Sequence, residues 1–274
     1  MLGNQIEANY SRSFTILIMQ RYLGGAIALL SLTLVSCGST VEESVPEPSP
    51  VTEATPILLP SPEPPVVVTP EQRAEAATLR QEGLALRNQG DIEGAIAPLK
   101  AAVELESDNI SGYVLLGWTE HLAGQRAAAV ETLQDALRQN PDDIPALNAL
   151  GIVYLVDGAL EQAVETHTRA VDLDQDNKIA HYNLSLAYQR LGDFEAAIAR
   201  ATRATELEPG NPHPWVALAI AHASAEDIDE AIAAYQQAIQ ADARYRDASH
   251  LSLLERAGFS ADQIEAAEAI RAQL

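Results

Sequence analysis

Cysteine is almost absent from this sequence, because Cys37 is the only one among 274 residues. A single cysteine excludes a disulfide bond within the chain. Positive charge is also scarce, with 17 Lys and Arg against 39 Asp and Glu and a formal net charge of −22 at pH 7. A nucleic-acid-binding protein needs a basic surface that neutralises phosphates, so nucleic acid is not an expected partner.

Motifs that carry chemistry are lacking as well. The sequence has no glycine-rich nucleotide loop, no HExxH zinc motif and no paired cysteines. Asp172, Asp174 and Asp176 alternate like the start of a calcium-binding loop, but Asn177 and Asn183 stand where that loop needs Gly and Glu. We therefore expect no catalytic activity, no cofactor and no metal site.

Long hydrophobic runs are missing too, and the longest near the N-terminus is Leu23–Val35. This run is too short for a membrane-spanning helix, which needs about 20 residues, but it suits the apolar region of an export signal. The run ends in Leu34–Cys37, which resembles the lipobox of bacterial lipoproteins. The resemblance implies that residues 1–36 are a lipoprotein signal peptide and that Cys37 is lipidated. A plain secretory signal with an incidental cysteine is the alternative.

The lipobox resemblance also implies a location in the bacterial cell envelope. The acyl chains would hold the protein to a membrane, and the domain would face the periplasm or the exterior. Gly38 follows the cysteine, whereas an Asp there commonly signals retention in the inner membrane of proteobacteria. In a cell with two membranes, the outer membrane is therefore favoured. The stretch before Met19 makes the leader unusually long, so Met19 is an alternative start.

Residues 37–68 form a segment of different composition. Residues 38–68 hold eight prolines, five glutamates and no Lys or Arg. Proline prevents regular helices and central strands, and like charges extend a chain. We expect a disordered spacer between membrane and domain; a ligand for a proline-recognising domain is the alternative. Thr69 and Gln72, which flank Pro70 and Glu71, form a capping box that predicts the domain start.

From residue 76 the sequence repeats at a constant spacing. The units are 76–109, 110–143, 144–177, 178–211 and 212–245. Alanine recurs at position 20 of each unit and again at position 27, and glycine occupies position 15 in four of the five units. Position 8 is also small, being Gly83, Gly117, Gly151, Ser185 and Ala219. Five units without an insertion predict a repeat protein.

This pattern resembles the tetratricopeptide repeat, whose signature has the same length as these units. The residues that match the signature are Pro141, Leu150, Gly151, Tyr154, Pro209 and Trp215. Repeat two departs from it, because Glu120 stands at a usual Tyr position. The resemblance implies an all-α, right-handed superhelical solenoid of helix-turn-helix repeats over 69–245. Residues 246–274 are expected to form a C-terminal capping helix pair, with one helix over 249–258 and a second that begins at a Ser260–Gln263 capping box.

In this family the first helix of each repeat lines a concave groove. The first 14 positions of the five units carry three acidic and four basic residues, whereas the other 20 positions carry 23 acidic and seven basic ones. The inner helices are therefore +1 and the rest of the stack is −16. The groove positions are apolar or aromatic at the centre and basic toward the edges. The partner-binding residues predicted there are Arg80, Arg87, Trp118, Leu122, Asn148, Ile152, Leu155, Tyr182, Leu186, Arg190 and Ile220.

These observations predict a membrane-anchored interaction module that binds an unidentified protein or peptide, with the peptide or amphipathic helix laid in the groove. The carboxylate clamp of chaperone-binding relatives is absent, because Leu84 and Leu115 stand at its positions beside Arg80. The alternative is a structural scaffold that acts by self-association as a homo-oligomer and has no peptide ligand.

Overall fold

The protein, represented by a computed structural model, is described here over residues 68–274. Ten α-helices follow one another as five antiparallel pairs, and no strand occurs in this range. The pairs are α1 (Pro70–Asn88) with α2 (Ile92–Leu105), α3 (Ile110–Leu122) with α4 (Arg126–Gln139), α5 (Ile144–Asp157) with α6 (Leu160–Leu173), α7 (Lys178–Leu191) with α8 (Phe194–Leu207), and α9 (Pro212–Ser224) with α10 (Ile228–Ala241). Each helix contacts the next one. The predicted all-α repeat solenoid is confirmed.

The first helix begins with the predicted capping box. The backbone N–H of Gln72 donates to Thr69 Oγ1 over 3.2 Å, and the Thr69 N–H donates to Gln72 Oε1 over 2.9 Å. These bonds satisfy two backbone donors that a helix start leaves open, and Pro70 has no N–H to satisfy.

The turn inside each repeat uses a left-handed residue. Four of these residues are glycines with φ between 74° and 89°, and the fifth is Glu226 with φ 67°. A residue with a Cβ is strained in this region, which explains why glycine recurs at the end of the first helix. Glu226 is the only residue other than glycine with positive φ in residues 68–274.

Small residues at position 8 let the two helices of a repeat pack closely, as expected. A Cβ added to Gly83 would lie 2.5 Å from Leu99 Cγ, and one added to Gly117 would lie 2.7 Å from Leu133 Cγ. In repeat three, a Cβ on Gly151 would lie 2.5 Å from Nε2 of His167. Real Cβ atoms do not approach other atoms so closely, so these positions require glycine with these neighbours.

The chain after α10 differs from the expected helix pair. Instead of one helix over 249–258, it forms a 3-10 helix Ala243–Arg246, a short helix α11 Ala248–Leu251 and a second 3-10 helix Leu254–Ala257. This last element ends at Gly258, whose φ is 86°. The second helix follows as α12, Ala261–Arg271, and the Ser260–Gln263 capping box at its start is confirmed.

The signal peptide, Cys37 and the proline-rich spacer lie outside residues 68–274, so those predictions stay predictions. Among the helices in the described part, none has the length and hydropathy that crossing a membrane requires.

Candidate functional site

The first helices of the repeats share one continuous surface. Helix α3 contacts α5, α5 contacts α7, and α7 contacts α9, in addition to the contacts of each with its own partner helix. We call the surface formed by positions 2, 5, 9, 12 and 13 of these helices the groove. Nine of the eleven residues predicted to bind a partner lie on these four helices, and Arg80 and Arg87 lie on α1, the first helix of repeat one.

Most of the apolar groove residues are buried, whereas the sequence led us to expect that about half of them pack against adjacent repeats. The exposed fraction is 5% or less for Trp118, Ile152, Leu155, Tyr182, Leu186 and Ile220. Their side chains fill the spaces between neighbouring first helices or lie beneath the C-terminal part of the chain. They are therefore core residues in this conformation, and their expected role as exposed partner contacts stays a prediction.

Two apolar groove residues remain exposed. Leu122 ends α3 and Val156 lies one residue before the end of α5, and both occupy position 13 of their repeats. Their exposed fractions are 44% and 37%. Between the same two repeats, Arg126 forms an exposed ion pair with Asp157 over 2.8 Å. The groove over repeats two and three thus presents apolar side chains beside charged ones.

The three basic groove residues are engaged within the chain. Arg80 pairs with the buried carboxylate of Glu106. Arg87 Nη1 lies 3.4 Å from Thr119 Oγ1, and burial lowers the pKa of this arginine. Arg190 Nη1 donates to the backbone oxygen of Leu155 over 2.7 Å and so links repeats three and four. The sequence placed these charges at the edges of the groove for a partner, whereas the structure uses them to hold neighbouring elements together.

Asn148 also makes an internal contact. Its side-chain amide exchanges two hydrogen bonds of 3.3 Å with the amide of Asn177. Asn177 in turn accepts a hydrogen bond from the backbone N–H of Ala180 and so caps α7. Asn177, one of the two asparagines that depart from the calcium-loop pattern, is thus a helix cap at the junction of repeats three and four.

The other end of the groove holds part of the chain itself. We call residues 254–263 the C-terminal segment. The hydroxyl of Tyr182 donates to the backbone oxygen of Ala257 over 2.6 Å. Gln263 Nε2 donates to the backbone oxygen of Leu186 over 3.0 Å and to Gln189 Oε1 over 2.9 Å. All these side chains are at most 8% exposed.

Apolar contacts accompany these hydrogen bonds. The ring of Phe259 lies with its centroid 6.0 Å from that of Tyr182 in an edge-on arrangement. A Cβ built on Gly258 would lie 3.6 Å from Leu155 Cδ2 and 3.8 Å from Leu186 Cδ1. The C-terminal segment therefore reaches from repeat five across repeat four to the edge of repeat three.

Phe259 and Gln263 are site residues that the sequence did not reveal, whereas Gln189 lies at position 12 of repeat four, a predicted groove position. Gln263 was recognised only as a capping residue, and its Oε1 does accept the N–H of Ser260 over 3.0 Å. The sequence offered one signal: the capping box uses only Oε1 of Gln263 and leaves its Nε2 without an assigned partner. Nothing in the repeat pattern showed that the partner is a helix far earlier in the chain.

Two histidines at groove positions have lowered pKa values. Burial lowers the pKa of His213 to about 4, and burial together with nearby Arg126 lowers the pKa of His121 to about 4. Both imidazoles are thus neutral near pH 7. Within residues 68–274, no group of three His, Cys, Asp or Glu side chains is arranged to hold a metal ion.

Family comparison supports the repeat assignment. Models of the tetratricopeptide repeat match residues 86–153 and 182–246, and a further model of the same repeat matches 157–192. These matches together cover more than half of the chain, which therefore belongs to the tetratricopeptide repeat family. Comparison with curated proteins finds no match.

Solved structures of similar fold include a MamA protein, which is 22% identical with a TM-score of 0.55 and matches 62% of this chain and 93% of its own. MamA from Desulfovibrio magneticus RS-1 is 20% identical, with a TM-score of 0.57 over 62% of this chain and 96% of its own. YrrB, described as a TPR protein with an unusual peptide-binding site, is 21% identical, with a TM-score of 0.51 over 63% and 90%. At these identities the similarity establishes the fold alone.

Proposed function

We propose that this chain is a lipid-anchored adaptor of the bacterial cell envelope that binds a partner protein or peptide in its groove. One observation carries the binding part of the proposal: the groove already holds a polypeptide segment of this chain through hydrogen bonds to main-chain oxygens. We infer that the open part of the groove, around Leu122 and Val156 in repeats two and three, holds a segment of a partner in a comparable way.

The part of the groove available to a partner lies where the C-terminal segment does not reach. Leu122 and Val156 are the apolar groove residues exposed there. Exposed apolar side chains flanked by charged ones are typical of helix-in-groove recognition, in which the partner buries a few apolar anchors. A partner helix with an apolar stripe satisfies this chemistry.

Leu122→Asp should abolish partner capture while leaving the helical content and the melting temperature nearly unchanged, because Leu122 is already largely exposed. The partner's apolar anchor would lose its contact with the Leu122 side chain, and binding would bury the carboxylate of the new aspartate without a partner. Binding should therefore weaken at least tenfold. Capture is measured by photo-crosslinking in membranes, followed by mass spectrometry.

Leu173→Asp is the matched control, because Leu173 is 42% exposed but lies at the end of α6, outside the groove. Equal capture by Leu122→Asp and the wild type would show that the groove is not the binding surface. A crosslinked product of two copies of this chain that Leu122→Asp removes would instead support the alternative, a scaffold acting by self-association.

The anchoring part of the proposal rests on the lipobox-like sequence before Cys37. Because the chain is acidic, membrane attachment has to come from acyl chains, and two or more chains anchor stably where one is marginal. Outer-membrane attachment is proposed for a cell with two membranes. Radiolabelled palmitate should enter the wild-type protein and be absent from Cys37→Ser, whereas equal labelling of both would rule out acylation at Cys37.

A further inference from the structure

The C-terminal segment does more than a cap requires. A cap has to cover only the exposed face of the last repeat, and α12 does so by packing on α9 and α10 and burying Ala267 and Ile270. The C-terminal segment continues beyond this face to Tyr182 and Leu186 on α7, in repeat four. Those contacts lie on the groove, which a cap leaves free.

The contacts on α7 resemble those by which a groove holds a peptide. Tyr182 binds a main-chain oxygen of the segment, and the segment's Gln263 binds a main-chain oxygen of the groove and Gln189. Gln189 is held in place by its own Nε2, which donates to Ser224 Oγ over 2.9 Å. Buried hydrogen bonds add only modestly to stability, but they strongly reject a ligand that cannot form them, so this arrangement favours specificity.

The segment is joined to α10 by a connection that belongs to none of the five helix pairs, and on its other side it continues into α12. Between α10 and the segment lie only the 3-10 helix Ala243–Arg246 and the four-residue helix α11. Arg244, Asp247 and Leu253 in this connection are exposed. Tyr245 and Leu251 in the same connection are buried, so displacing the segment has to undock these two side chains together with α12.

We propose that Tyr182, Leu186 and Gln189, together with Leu155, form a second binding site for a segment of a partner protein, and that the chain's own C-terminal segment occupies this site until the partner replaces it. The partner segment has the chemistry of the present occupant: a turn ending in glycine that offers its carbonyl oxygen to Tyr182, an aromatic residue next to the glycine, and a helix with a glutamine in its first turn. The proposal goes beyond the function proposed above, because this site uses buried residues that the C-terminal segment covers, whereas Leu122 and Val156 are exposed.

The test uses the detergent-solubilised full-length chain and a fluorescent synthetic peptide with the sequence of residues 249–274 as the probe. Binding is measured by fluorescence anisotropy. Gln263→Ala weakens the internal occupant by removing its two side-chain hydrogen bonds to the groove, so the probe should bind this variant roughly tenfold more tightly than the wild type. Gln273→Ala is the control, because Gln273 is exposed and bonds only to the C-terminal turn of its own helix; it should bind the probe as the wild type does.

One further measurement decides the outcome if Gln263→Ala folds poorly. In the wild type, saturating probe should accelerate backbone hydrogen exchange in residues 254–263 and leave α1–α8 unchanged. Where Gln263→Ala folds, adding Tyr182→Phe, which removes only the hydroxyl, should weaken its binding of the probe. Unchanged exchange at saturating probe, or equal probe affinity in Gln263→Ala and Gln273→Ala, overturns the proposal. If differently tagged copies of the chain co-purify and the probe separates them, the occupant is a second copy and the proposed partner segment is wrong.

Discussion

Gly151→Leu is expected to lower the free energy of unfolding by about 3 kcal/mol, at the upper end of the usual cost of overpacking a core. The reason is the contact between Gly151 and His167, because even a Cβ at residue 151 would lie 2.5 Å from Nε2 of His167. The imidazole is fully buried and cannot move aside into solvent. For a domain of about 200 residues, this loss corresponds to a melting temperature lower by roughly 6–12 °C, measurable by circular dichroism.

Gly210→Leu is the matched control for this change. Gly210 lies in the turn before α9, has no atom within 4 Å of an added Cβ and does not have a positive φ. The same substitution there should change stability by less than about 0.5 kcal/mol. If Gly151→Leu melts like Gly210→Leu, the register assigned to the two helices of repeat three is incorrect.

The pairing of positions 8 and 24 explains why the fold was readable from the sequence. Gly117 meets Leu133, Gly151 meets His167, and in repeat four Ser185 at position 8 accompanies the smaller Ala201 at position 24. These contacts recur at a fixed spacing in repeats one to three, so the constant period of the sequence reflects them. The repeat fold, its glycine-ended helices and both capping boxes depend on such short-range relations.

The groove was harder to predict because its burial depends on contacts that do not repeat. Tyr182 is covered by Ala257, 75 residues later, and Leu186 by Gln263, 77 residues later. The helix-forming pattern of 260–274 is the same whether this helix packs on the last repeat or reaches into the groove. Periodicity therefore identified the groove positions but not which of them another part of the chain covers.

The basic residues of the groove were hard to interpret for a similar reason, because their charge does not reveal what they bind. Arg80 and Arg190 have the same formal charge whether they face a partner or an internal acceptor. Only the fold brings Glu106 to Arg80 and the backbone oxygen of Leu155 to Arg190. Truncating Trp118 or Tyr182, the obvious choices from the sequence, would disturb a packed core, whereas Leu122 and Val156 test binding with less effect on stability.

His167→Leu is expected to stabilise the protein, and most strongly in acid. Burial lowers the pKa of His167 from 6.5 to about 3, against a smaller opposing effect from the backbone of Gly151. Between these two pH values the unfolded chain binds a proton that the folded chain excludes, so this histidine makes the wild type lose stability as the pH falls from about 6.5 toward 3. At pH 5 the loss from His167 alone is about 2 kcal/mol.

Leucine should fit at position 24 of repeat three, because repeats one and two already have leucine at position 24. Leu99 packs on Gly83 and Leu133 packs on Gly117 in the same register. Both ring nitrogens of His167 are buried without a hydrogen bond of ordinary geometry, so replacing the ring also removes desolvated polar atoms. Denaturant unfolding at pH 7.5 and at pH 5 should therefore give a gain for His167→Leu that is about 2 kcal/mol larger at pH 5.

The reciprocal variant Leu133→His provides the control, because it places an imidazole against Gly117 in repeat two. It should lower stability at both pH values and lower it further at pH 5, since Leu133 is fully buried and its replacement would have to stay neutral. His213 and His121, which remain in every variant, contribute their own acid sensitivity equally to all of them. If the wild type and His167→Leu lost equal free energy of unfolding between pH 7.5 and pH 5, the low pKa of His167 would be contradicted. The His167 imidazole would then accept its proton in the folded protein.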